Sequence, residues 1–272
     1  MYKRILVPLD GSRFSEEIIP HAVGLAAIHG TELALLRVVS KAADEDDARA
    51  YIDRLAAAHG ARGLCLLAPG DVVPTLLKET NREPATLLAM TSRGHSGLAE
   101  ILLGSVAQRV MRSLKGPVLI YRPTGARHLK HLPIKFGSIV LPLDGSDASE
   151  AIASNAAEFA RWIRADLEVI SVIPPVKMAD VGEVSGGEMV SMESGYLRSK
   201  ANQLAKRCEI RTNWDALRGD PAKAIVDYVS KRQDTILAMT TRREDALEAA
   251  ILGSVTAYCL RNAGVPILMR LP

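Results

Sequence analysis

Aromatic residues are scarce in this chain: Trp, Tyr and Phe together make up 4% of 272 residues, while 48% are hydrophobic. A core must therefore be assembled from Ala, Leu, Ile and Val, a composition that belongs to globular rather than disordered chains. Cysteine is rare as well. Cys65, Cys208 and Cys259 are far apart and odd in number, which argues against a disulfide framework or a paired-cysteine metal site and fits a reducing compartment. An excess of one charge sign is also missing, with 34 Lys and Arg against 31 Asp and Glu, so the net +3 implies no nucleic-acid partner. Nowhere do about 18 apolar residues run on without a charge or turn residue, so no membrane partner is expected. The apolar run before Asp10 is far shorter than a signal-peptide core, and a cytoplasmic location is the expectation.

The familiar catalytic and phosphate-binding signatures are absent too. There is no G-x-x-x-x-G-K-[ST] phosphate loop, no G-x-G-x-x-G fingerprint, no G-x-S-x-G elbow and no H-E-x-x-H pair. Ser-Gly-Gly-Glu at 185–188 falls in a Gly- and Pro-rich stretch and is expected as a loop. His128 and His131 lie between prolines with no acidic or Cys neighbour, so a solvated connector is expected there rather than a zinc site.

What the chain does have is an internal repeat. "ILVPLDGS" at 5–12 returns as "IVLPLDGS" at 139–146, an offset of 134 (139 − 5), and "MTSRGHSGLAEILLGSV" at 90–106 returns as "MTTRREDALEAAILGSV" at 239–255, an offset of 149 (239 − 90). The second copy thus carries about fifteen extra residues (149 − 134), placed at about 174–190 by composition. Nearly continuous apolar runs at 3–9, 32–39, 62–68, 85–90 and 116–122 read as buried parallel strands, with counterparts near 137–143, 167–173, 210–217, 235–239 and 265–270. Helical segments are expected at about 14–28, 45–59, 72–82 and 99–113. This alternation predicts an α/β fold of two tandem, doubly wound, Rossmann-like domains of five parallel strands each, over 1–123 and 136–272, joined by a linker at 124–135.

Ligands of open parallel sheets bind beyond the carboxyl ends of the strands. That places Asp10, at the end of the first strand, in one crevice with the loop after the fourth. Asp10 suits the hydroxyls of a ribose, and Asp-Gly-Ser also reads as a turn with Ser12 near a helix cap. Gly94 and Gly97 would let the backbone meet a ligand, Gly104-Ser105 would lie within the helix beginning near 99, and the loop amides would suit phosphate, with Ser92, Arg93 and His95 at the rim.

"PLDGS", "LLGSV" and the spacing Thr91-Ser92-Arg93-Gly94, nine residues, Gly104-Ser105 resemble the universal stress protein family in its tandem two-domain form. The resemblance implies an adenine nucleotide-binding, Rossmann-like domain of the adenine nucleotide alpha hydrolase type, with ATP, normally accompanied by Mg2+, held in the first domain. It assigns Asp10, preceded by Pro8 and Leu9, to the adenosine moiety and the Val38 backbone to adenine. Met90, Thr91, Arg93, Gly94, Gly104, Ser105 and Val106 would form the pocket wall and phosphate cradle. Thr91 stands where the family pattern has its first glycine. A β-branched residue disfavours positive φ, so binding through its N–H would need a negative φ there. In the second copy Asp144, Gly253 and Ser254 survive but Arg243 replaces the glycine, and an empty or altered site is expected. Arg243 would either fill the cradle or reach outward to clamp an anion. The resemblance further implies an intramolecular pseudo-dimer built through the last strands, able to dimerise again as a homo-oligomer, and a protein partner that the sequence does not identify. A regulatory nucleotide sensor is the leading expectation; a slow ATPase switch, and an adaptor with vestigial pockets using the 174–198 segment with Met178, Met189 and Met192, are the alternatives.

Overall fold

Apolar runs bounded by turn residues become strands, and the amphipathic runs between them become covering helices. The computed structural model describes residues 2–94, 102–125, 133–175, 186–232, 234–241 and 252–271. The chain divides into two units, one built on Met1–Lys135 and one on Phe136–Arg270.

The first unit runs β1 (Arg4–Leu9), α1 (Arg13–Glu16), α2 (Ile19–Ala27), β2 (Glu32–Val39), α3 (Glu45–His59), β3 (Arg62–Leu67), α4 (Val72–Arg82), β4 (Thr86–Thr91), α5 (Ser105–Ser113) and β5 (Val118–Tyr121). Its strands lie in the order β3-β2-β1-β4-β5, and the pairs are parallel. The second unit runs β6 (Ser138–Pro142), α6 (Asp147–Glu150), α7 (Ala153–Ile163), β7 (Asp166–Ile173), α8 (Gly186–Cys208), β8 (Thr212–Arg218), α9 (Pro221–Val229), β9 (Thr235–Thr240), α10 (Ser254–Asn262) and β10 (Ile267–Arg270), with the corresponding order β8-β7-β6-β9-β10, again parallel. Each first strand, β1 or β6, thus sits where the winding reverses, with the next strand in sequence on one side and the fourth on the other. A crevice opens there at the carboxyl ends.

Three local expectations are corrected. The helix expected over 14–28 is two helices, α1 and α2, with Pro20 in the first turn of α2. Proline has no N–H to carry a ladder back into α1, and its fixed φ suits a helix start. The helix expected from about 99 begins at Ser105, with Gly104 as its N-cap in extended backbone (φ −67°, ψ 161°). The Ser-Gly-Gly-Glu stretch expected as a loop is helical from Gly186, the first residue of α8. That helix has 23 residues against 15 in α3, so part of the insertion lengthens a helix. Residues 176–185, including Met178, lie outside the described residues, as do His95, Gly97, His128, His131 and Arg243.

At the amino end of β1 the fully buried Arg4 guanidinium donates to Glu79 Oε1 (2.9 Å), the Glu79 carbonyl (2.7 Å) and Thr86 Oγ1 (3.1 Å), tying α4 to β1 and β4. At the carboxyl end His21 is buried against Tyr121, ring centroids 4.5 Å apart, with Nδ1 3.3 Å from the Glu17 carbonyl oxygen. Burial pulls the His21 pKa down from 6.5 to about 4, against the opposing bond to Glu17. The unfolded chain therefore takes up this proton first as pH falls. His21 should contribute stability above pH 6.5 that is lost, by roughly 3 kcal/mol, on acidification to pH 4. Urea unfolding across this range should show that slope, and His21→Leu should flatten it.

Candidate functional site

The eleven residues singled out from the sequence, Pro8, Leu9, Asp10, Val38, Met90, Thr91, Arg93, Gly94, Gly104, Ser105 and Val106, line one cavity of about 350 Å³ at the carboxyl end of the first unit's sheet. This volume lies within the range of small-molecule sites. Leu36, Val72, Leu76 and Ala107 add apolar wall, and Ser15, Arg37 and Ser92 add polar groups that the sequence reading either left out or set at the rim.

Asp10 follows β1, and its attitude is fixed from two sides. Oδ1 accepts from the Ser12 amide (2.9 Å) and hydroxyl (2.6 Å), the Asx turn that leads into α1, where Ser12 is the N-cap and accepts from the Ser15 amide. Oδ2 reaches the loop after β4 so closely that a Cβ on Gly94 would stand 1.8 Å from it. A side chain at 94 would thus have to displace the carboxylate, a different reason for glycine from the bare backbone for phosphate expected from the sequence. Gly104 differs again: its φ of −67° is open to any residue, and an added Cβ would meet the Ser92 carbonyl oxygen at 3.6 Å, ordinary contact.

The loop itself is organised by backbone bonds. Ser92 N donates to the Tyr121 carbonyl and Gly104 N to the Ser92 carbonyl, both at 2.8 Å, which brings the start of α5 against the end of β4. Thr91 closes β4 and is not among the described residues of positive φ; its hydroxyl donates to the Arg93 carbonyl at 2.9 Å. The N-terminus of α5 receives no side-chain cap, and its first three residues, Ser105, Val106 and Ala107, all line the cavity. Uncapped amides at a helix start attract anions. Nearby, the Ser92 hydroxyl and the Arg93 Nε and Nη1 groups are buried with no hydrogen-bond partner among the described residues. Arg93 is held by Nη2 donating to the Pro123 carbonyl (3.1 Å) and by the Phe14 ring, 5.4 Å from its guanidinium carbon. Beside the cavity wall Asp71 caps α4, accepting from Val73 N at 3.1 Å, and pairs with Arg109 of α5, which holds its carboxyl below the usual carboxylate range.

The second unit has a cavity of about 290 Å³ at the corresponding place, lined among others by Pro142, Leu143, Asp144, Val172, Met239, Thr240, Gly253, Ser254 and Val255. Asp144 repeats the Asp10 turn, accepting from the Ser146 amide (3.0 Å) and hydroxyl (2.6 Å). Burial pushes the Asp144 carboxyl up, but hydrogen bonds from Ser146 and Ser149 outweigh it and leave it below its ordinary value. Gly253 again caps its helix without a side-chain bond.

Two wound α/β units in tandem, each with a crevice between an aspartate turn and an uncapped helix start, define the class. The Universal stress protein family model matches residues 1–122 and again 135–269, and the chain belongs to that family. It is 28% identical over 138 residues, 49% of its length, to a universal stress protein of Methanocaldococcus jannaschii, 81% of which is covered. It is 26% identical over 203 residues, 72% of its length, to one from Mycobacterium bovis, covering 65% of that protein. The crystal structure of a universal stress protein from Archaeoglobus fulgidus aligns over 100% of this chain and 99% of that one, with a TM-score of 0.66 at 21% identity, which supports the fold. Among the described residues no helix is long and apolar enough to cross a membrane.

Substitution separates the two glycines. Gly94→Ala should displace the Asp10 carboxylate and cost about 1–3 kcal/mol, whereas Gly104→Ala should change stability by less than about 1 kcal/mol. Thermal unfolding of the two variants measures both.

Proposed function

We propose that the first unit binds ATP or a related adenine nucleotide as a regulatory ligand. The observation that carries this reading is the junction of three features in one cavity: an aspartate held ready at one end, an apolar wall, and an uncapped helix N-terminus. Asp10 would accept from ribose hydroxyls, with Val38, Val72 and Leu76 offering the surface against which a base packs. Phosphates would lie at the amides of Ser105, Val106 and Ala107, within reach of Ser92 and Arg93. Among the described residues no group of three or more His, Cys, Asp or Glu is placed to hold a metal. A Mg2+ ion would enter with the phosphates, supplying charge neutralisation there.

For the second unit we propose an altered site. The described part of its cavity keeps the aspartate turn and the helix start. In the first unit, however, no side chain could stand at position 94 with the carboxylate where it is, and the second sequence has Arg243 at that place. A cytoplasmic location and further homodimerisation remain parts of the same proposal.

Calorimetric titration of ATP tests it. The expected result is one nucleotide per chain, with affinity lowered at least about tenfold in Asp10→Ala and in Gly104→Ala, the latter by steric contact with the ligand. Undiminished affinity in both variants would remove the site assignment.

A further inference from the structure

β2 reads Glu-Leu-Ala-Leu-Leu-Arg-Val-Val, and Arg37 is the one cation within this buried run. Pairing of β1 with β2 sets Arg37 opposite Leu9. Its Nη1 donates to the Leu9 carbonyl at 3.3 Å, and its Nη2 lies 3.6 Å from the place a Cβ on Gly11 would occupy. Leu9 and Gly11 flank Asp10, so the guanidinium is seated on the backbone that carries the carboxylate, while still lining the cavity. Among the described residues the bond to Leu9 is its one hydrogen bond, and no carboxylate there lies within ion-pair distance. Most of the five donors of this planar fork are therefore available. The corresponding residue of the second repeat is Ser171 (37 + 134), and the described lining of the second cavity contains no Arg or Lys.

We infer that Arg37 makes the first cavity selective for adenine nucleotides carrying an additional phosphate on the ribose, at the 2′ or 3′ oxygen. This rests on the reading of the cavity as a nucleotide site with Asp10 at the sugar. A carboxylate alone accepts from ribose hydroxyls and repels a phosphate placed there. A guanidinium beside it, with free parallel donors, holds that phosphate in a bidentate pair, the arrangement by which dinucleotide sites distinguish a phosphorylated ribose from a plain one. The half-exposed position of Arg37 lets water satisfy these donors when no ligand is present.

The test is a titration of the full chain with adenosine 5′-phosphate, adenosine 2′,5′-bisphosphate and adenosine 3′,5′-bisphosphate, for wild type, Arg37→Ser and Arg37→Lys. Thermal unfolding checks that each variant is folded. One of the bisphosphates should bind the wild type about tenfold more tightly than the monophosphate. That ratio should fall to about one in Arg37→Ser and to an intermediate value in Arg37→Lys, whatever the change in monophosphate affinity itself. The inference is overturned if neither bisphosphate gains over the monophosphate, if the gain survives in Arg37→Ser, or if all three ligands weaken in parallel, because the guanidinium would then serve the base or the placement of Asp10. Failure of the underlying nucleotide reading looks different: no adenine nucleotide, ATP included, binds the wild type.

Discussion

The cavity of the first unit depends on one seated carboxylate. Asp10 joins the turn after β1 to the loop after β4, with one oxygen on Ser12 and the other against Gly94. These are the two segments that diverge where the sheet reverses its winding. The charge-assisted hydrogen bond from the Ser12 amide fixes the carboxylate within its own turn. The absence of a side chain at 94 is the steric half of the same device.

Seen this way, the two repeats share a turn and differ in what surrounds it. In the first, Tyr51 of α3 donates to Glu16 at 2.8 Å, and burial, with Glu16 and Asp10 nearby, pushes its phenol well above the usual range. In the second, Tyr196 of α8 donates to Glu150 at 2.6 Å and Lys200 pairs with the same carboxylate at 2.5 Å. Each unit also has a cation near its tyrosine–glutamate pair. In the first it is Arg37, on a strand and lining the cavity; in the second it is Lys200, on a helix and absent from the cavity lining. The two units thus differ in whether a strand cation lines the described part of the cavity.

Much of this was legible beforehand because its causes are local. Apolar runs such as "ELALLRVV" and "TILAMT" mark buried parallel strands, and β2 spans 32–39 as expected. The cavity residues could be named because they lie on repeated motifs at strand ends. Errors arose where the deciding contact was distant or subtle. Pro20 divides α1 from α2, although the run around it is apolar enough for one helix. The start of α5 is set by the Gly104–Ser92 backbone bond, across a loop, rather than by any capping residue in the sequence. Gly94 marks a close approach in the sequence, expected there for a ligand; in the structure its neighbour is Asp10, 84 positions away (94 − 10), a contact only the fold creates. Arg37 had a readable signal, a lone cation in an apolar strand, and its meaning emerged only beside Asp10.

Whether nucleotide reaches the uncapped start of α5 decides the role of the first cavity most directly. Backbone amide chemical shifts, followed by NMR as ATP is added to the full chain, answer this at single residues. The predicted result is that Ser105, Val106 and Ala107 shift with Asp10 and Gly94, while Ser254, Val255 and Thr256 of the second unit stay in place. Shifts confined to other regions, or equal shifts at both helix starts, would contradict it.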